Sequence, residues 1–171
     1  MKKILVLMVA VFVMALTASA QIAEGIYMIS HADYPAHVLT TKNAKPGNRE
    51  AVVLTKWARK DNQLWQIKKN ADGTYAILSL ADPAYGINVC EALMQNGADI
   101  ITWNWTGYAN ENWKIEKQSN GAYLIMVAQD KSFCIRPKNG KVSDNVPLEL
   151  TKAKSDRKME WNIIKASRQK F

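Results

Sequence analysis

Short runs in which large apolar residues alternate with small or polar ones recur along the chain. Tyr75 and Ile77 stand among Thr74 and Ala76, and Trp113 and Ile115 flank Lys114. A period of two predicts half-buried strands rather than helices. Four such runs open the chain, near 25–30, 37–41, 51–55 and 64–68. Turn residues punctuate the series, as in Lys45-Pro46-Gly47-Asn48, Asn70-Ala71-Asp72-Gly73, Gln95-Asn96-Gly97 and Asn139-Gly140. Beyond the first twenty residues no stretch keeps a long helical period.

The apolar pattern also repeats at long range. Trp65, Trp113 and Trp161 are 48 residues apart, and each opens Trp-x-Ile, ending in Ile67, Ile115 and Ile163. Gly25, Gly73 and Gly121 keep the same step, and each opens Gly-x-Tyr-x-Ile. Leu39, Ile87 and Ile135 follow it too, as do Val52, Ile100 and Leu148. A constant step without insertion marks three copies of one structural unit, spanning about 25–72, 73–120 and 121–168.

Four strands in each of three units predict an all-β fold of about twelve strands. A propeller also uses four-stranded units, but closing one takes about four blades or more. Nor does the chain contain a Trp-Asp or Gly-Gly signature. Three units fit a β-trefoil: two strands of each unit close a barrel about a pseudo-threefold axis, and the other two form a hairpin that caps one end. Closure removes the unpaired edges of an open sheet. The recurring Trp, Tyr and Ile residues are then core, filling the barrel from three directions.

The first twenty residues read differently. Lys2 and Lys3 precede an unbroken apolar run of 13 residues, Ile4 to Leu16, and Ala18-Ser19-Ala20 supplies small residues for cleavage. This is the layout of a secretory signal peptide over 1–20. The run is shorter than the roughly 20 apolar residues that span a bilayer. The expected product is a single trefoil domain, 21–171, secreted or periplasmic, with no membrane span. Its 21 basic and 15 acidic residues leave a net charge of +6. Such a charge keeps a chain soluble and favours anionic partners, such as acidic glycans or cell-surface polymers. The basic residues are scattered, which argues against nucleic acid as a partner. Cys90 and Cys134 are the only cysteines; in an exported chain they are either one disulfide or two free, half-buried thiols. No His and Cys cluster has metal-ligand spacing, so neither metal nor cofactor is expected.

Taken together, these residues resemble the ricin B-chain-like β-trefoil lectins. The likeness is to the bacterial ricin-type domains that open Gly-x-Tyr-x-Ile, turn on Asn-Gly and close on Gln-x-Trp. The segment NGADIITWNWTGYANENWKI (96–115) carries it best, and NQLWQI (62–67) keeps the Gln-x-Trp element intact. The resemblance implies a shallow sugar pocket in each unit. An aromatic face covers the C–H side of a sugar ring, an acidic side chain just after the second strand accepts hydroxyl hydrogen bonds, and an amide beside Gln-x-Trp adds more.

Carried over position by position, the middle unit holds Asn88 at the acidic position, Trp103 at the aromatic one and Asn110 at the amide, with Glu111 in place of Gln. The first unit has Thr40, Thr55, Asn62 and Gln63, where Trp57 offers a substitute aromatic. The third has Arg136, Thr151, Lys158 and Met159, a set unsuited to neutral sugars. The candidate carbohydrate-binding residues are therefore Asn88, Trp103, Asn110 and Glu111. Strand parity turns Ile100 and Thr102 inward and Trp103 and Trp105 outward, either onto a ligand or under the loop around Tyr108.

Little here suggests catalysis. His31 and His37 are the only histidines and read as loop or surface residues. No nucleophile elbow, His-Glu-x-x-His or phosphate-binding glycine loop occurs. The expected function is non-catalytic binding of a glycan or polysaccharide. The alternative is a trefoil whose sugar pockets have decayed and whose loops bind or inhibit a protein partner.

Overall fold

The computed structural model describes residues 21–154 and 156–166; the signal segment expected at 1–20 lies outside them. The elements are β1 (Gly25–His31), β2 (His37–Thr41), β3 (Glu50–Lys56), β4 (Trp65–Lys69), β5 (Tyr75–Ser79), β6 (Tyr85–Val89), β7 (Ile100–Asn104), β8 (Trp113–Lys117), β9 (Tyr123–Val127), β10 (Phe133–Pro137), β11 (Val146–Lys152) and β12 (Trp161–Lys165). Single 3-10 turns are the only helical pieces among the described residues.

Six strands close a ring in the order β1, β4, β5, β8, β9, β12 and back to β1, every neighbour antiparallel. The remaining six form the hairpins β2–β3, β6–β7 and β10–β11. These hairpins meet one another through β3–β7, β3–β11 and a bridge from Asp99 to Glu149. The molecule is a β-trefoil, a six-stranded barrel capped by three hairpins.

The landmarks share one core. Tyr27 faces Trp65 across a strand pair, Tyr75 faces Trp113 and Tyr123 faces Trp161. All three indoles are fully buried, together with Ile29, Ile77 and Ile125 and with Leu39, Ile87 and Ile135. Each indole Nε1–H donates to the carbonyl of the residue 26 positions earlier: Leu39 (3.0 Å), Ile87 (3.0 Å) and Ile135 (3.3 Å). Each tryptophan thus ties its barrel strand to its own unit's hairpin. Gly73 and Gly121 earn their recurrence in the tight turns before β5 and β9, where φ is 82° and 88°.

The units are clasped as well as packed. The side-chain oxygens of Asn48, Asn96 and Asp144 accept from the backbone N–H of Asn104, Lys152 and Lys56, each at 2.8 Å. The next residues, Arg49, Gly97 and Asn145, have φ of 62°, 85° and 62°. Their N–H groups donate to the carbonyls of Thr102, Leu150 and Leu54. Every unit grips the next, and the third grips the first.

Of the two options for the cysteines, both thiols are free. Cys134 is buried 3.5 Å from the Met159 sulfur, and burial pushes its thiol up to about 12. The histidines depart from expectation. His31 is no surface residue: it ends β1 only 1% exposed and meets Trp161 edge-on at 5.8 Å. Its position opposite the barrel tryptophan, held by Ser79 and Val127 in the other units, turns it into the core. His37 begins β2, mostly buried, 3.6 Å from Asp144.

Two outcomes follow for stability. Trp113→Phe removes the donor to Ile87 and leaves a void, at a cost of about 2–4 kcal/mol in chemical denaturation. Trp65→Phe should cost a similar amount, because the two geometries match. Burial lowers the His31 pKa, an effect that Asp33 only partly offsets. The unfolded chain therefore takes up this proton first, near pH 6.5. Stability is complete above about 6.5 and falls as pH drops toward the folded value, by at most about 1.4 kcal/mol per pH unit. Thermal melts between pH 7 and 5 should show that slope, and His31→Gln should flatten it.

Candidate functional site

The middle hairpin is built to expose one face. Gly86 pairs with Trp103 and Asn88 with Ile101 across β6–β7. Ile100 and Thr102 point inward and are buried, whereas Trp103 is half-buried on the outer face. Beyond β7 the chain loops through Tyr108 into a 3-10 turn, Ala109–Glu111, that brings Asn110 and Glu111 back against the hairpin. A pocket of about 290 Å³ lies between them. Asn88, Trp103, Asn110 and Glu111 all line it, with Arg49 and Tyr108 at its edge.

Glu111 organises the loop. Its Oε1 accepts from Thr106 N (2.6 Å), Thr106 Oγ1 (2.8 Å) and Tyr108 N (2.9 Å). Gln63 does the same in the first unit, where its Oε1 accepts from Ala58 N (2.8 Å) and Lys60 N (3.4 Å). The second atom of each side chain makes the difference. Gln63 Nε2 donates to Lys56 O (2.7 Å) and Thr55 Oγ1 (2.9 Å). Glu111 Oε2 has no hydrogen to give and instead accepts from Asn88 Nδ2 at 3.3 Å. Asn88 Oδ1 in turn accepts from Asn110 Nδ2 (3.2 Å), which also donates to Val89 O (3.1 Å).

The carboxylate that the middle unit lacks at position 88 is therefore still present, one residue deeper. The acid and the amide have exchanged places. Glu111 is only 1% exposed, so it orients Asn88 rather than offering an oxygen to solvent. The two departures from the family pattern were visible in the sequence; their contact was not. Their falling in the same unit was the available signal.

The first and third units close the same region. Thr40 and Thr55 hydroxyls bond each other at 2.7 Å, and Asn62 Nδ2 donates to the carbonyls of Thr41 and Asn43. In the third unit Met159 is buried against Cys134 and Met126. Arg136 is bound to Glu149 at 2.8 Å. Trp57 is half-buried where the middle unit has Trp105, and both donate their backbone N–H to the start of their hairpin, Ala36 and Ala84. The Trp105 ring packs beside Gly86, where a Cβ would lie 3.4 Å from its Cδ1, and reaches toward Gly107. It is loop packing, which resolves one of the two roles open to it.

Arg49 escaped the sequence reading. Its guanidinium lies 5.7 Å from the centre of the Trp103 ring, and Nη1 is 3.2 Å from Glu91 Oε1. It belongs to the first unit, and the inter-unit clasp carries it over the middle pocket. Its counterparts, Gly97 and Asn145, carry no charge, nor do Asn43 and Asn139, the counterparts of Glu91.

Comparison with known proteins agrees with the fold. The family model for the ricin-type β-trefoil lectin domain-like group matches residues 16–103. No curated protein sequence matches the chain. Among solved structures, the designed threefold-symmetric protein ThreeFoil is similar with a TM-score of 0.78 at 19% identity, covering 83% of this chain and 99% of its own. A mosquitocidal holotoxin is similar at 0.80 and 25%, covering 88% of this chain, which spans only 18% of the toxin. The ricin B-like lectin of Macrolepiota procera, solved with lactose, is similar at 0.71 and 13%, covering 85% of this chain and 99% of its own. A family match over half the chain, on a barrel of three like units, places this protein in the ricin-type β-trefoil lectin domain-like family.

Proposed function

We propose that the protein is an exported, non-catalytic carbohydrate-binding protein with one working pocket, in the middle unit. One observation carries the reading. Trp103, Asn88 and Asn110 converge on an open pocket, while in the first unit Thr40 and Thr55 bond each other and in the third Arg136 is bound to Glu149. The half-exposed indole offers a flat apolar face for a sugar ring, and the oriented amides offer hydrogen bonds to its hydroxyls. The Macrolepiota lectin, of the same fold, is known with lactose. Non-catalytic binding fits the state of Glu111, which is buried in the pocket lining with its oxygens accepting four hydrogen bonds. Export rests on the sequence of residues 1–20 alone.

A screen of the mature protein against glycans and polysaccharides should find a ligand. Trp103→Ala should lower its affinity at least about tenfold, or 1.4 kcal/mol, with an unchanged melting temperature. Glu111→Gln should also weaken binding. It restores a donor at that position, as in Gln63, so Asn88 must turn its oxygen inward and its amide sense reverses. The loop should hold, because Gln63 secures the first unit's loop in the same way; a melt checks this. Finding no saccharide ligand, but a stoichiometric protein partner indifferent to competing sugars, would replace this reading with that of a protein-binding scaffold.

A further inference from the structure

We infer that the middle pocket takes a sugar bearing a carboxylate, with its anionic group held by Arg49. The inference rests on the carbohydrate-binding reading and narrows its ligand class. Three observations converge on it.

The first is the exchange between positions 88 and 111. A carboxylate at the pocket wall would repel an anionic sugar. Here position 88 carries a neutral amide, and the two carboxylates that line the pocket are both engaged: Glu111 is buried under Thr106, Tyr108 and Asn88 donors, and Glu91 is paired with Arg49. Asn88 has one Nδ2 hydrogen committed to Glu111 and a second that can meet an acceptor oxygen.

The second is Arg49 itself. It is the one cation lining the pocket among the described residues. Its backbone is pinned by a hydrogen bond to Thr102 O at 3.1 Å and by the left-handed turn at φ 62°. Among the described residues its only ion-pair partner is Glu91, and both side chains are more than half exposed. An exposed pair of this kind is worth about 0–1 kcal/mol. Exchanging Glu91 for a ligand carboxylate therefore costs little, and the guanidinium fork matches a carboxylate with two parallel hydrogen bonds.

The third is the neighbouring surface. Arg49 also walls an adjoining shallow concavity with Lys42 and Lys45. The carboxylate there, Glu50, is occupied by the N–H groups of Asn43 and Gly47. Lys42 and Lys45 are exposed and have no ion pair among the described residues. Three cationic side chains, Arg49, Lys42 and Lys45, thus share the concavity that adjoins the Trp103 pocket.

The test is a set of matched pairs: oligogalacturonate, hyaluronan oligosaccharide and sialyllactose, each beside its neutral methyl ester. Binding is measured by calorimetry at low and at physiological salt. In at least one pair the acid form should bind about tenfold more tightly than its ester, and salt should narrow the gap. Arg49→Gln should erase the preference. Glu91→Gln, which frees the guanidinium, should raise affinity for the acid form several-fold and so tests the idea without depending on a loss. If every ester binds as well as its acid, or if the preference survives in Arg49→Gln, the inference falls. The broader reading then stands wherever Trp103→Ala still abolishes binding. If no member of any pair binds, the inference falls, and the broader reading is decided by the glycan screen alone.

Discussion

The fold depends on satisfying three buried indole N–H groups. A tryptophan can fill a barrel only if its one polar atom finds an acceptor, since leaving it bare in the interior costs about 1–3 kcal/mol. Here Trp65, Trp113 and Trp161 each find the carbonyl of a hairpin strand. That bond crosses from the barrel to the cap, so the same side chain that fills the core also fixes the height and rotation of the hairpin above it. Asn88 follows Ile87, whose carbonyl receives Trp113. The position of the pocket wall is therefore set from inside the barrel.

A shared frame has left the three surfaces free to diverge. Asn62, Asn110 and Lys158 occupy one position, yet the first binds backbone, the second aligns Asn88, and the third lies across Gly140. Thr40, Asn88 and Arg136 likewise close, open and block their sites. None of these changes touches the core cluster, which runs without a break through all three units. Stability and recognition are thus carried by opposite faces of the same strands.

This division explains what could be read in advance. Trp113, Tyr75 and Ile77 announce themselves by period because a core position has the same neighbours in every copy. Asn88, Trp103, Asn110 and Glu111 were nominated by the resemblance to ricin-type lectins, carried over position by position, and they do meet around one pocket. The bond between Asn88 and Glu111 was not legible, since it joins residues 23 apart through geometry alone. Arg49 was hidden for a further reason: it serves a pocket in a unit other than its own. His31 was misjudged because a single histidine among Ser79 and Val127 breaks the repeat where the repeat would have marked it as interior.

The cyclic clasp has a consequence for assembly. Asn48 holds Asn104, Asn96 holds Lys152 and Asp144 holds Lys56, always in the same rotational sense. A solitary 48-residue segment would keep two unspent acceptors and two unspent donors, one of each at the Asn48–Arg49 turn and one of each on the strand its neighbour grips. Such a head-to-tail contact cannot be self-complementary, but three copies of it close into a ring. The connecting turns are therefore not what arranges the segments about the axis; they hold together parts whose own surfaces already define a trimer.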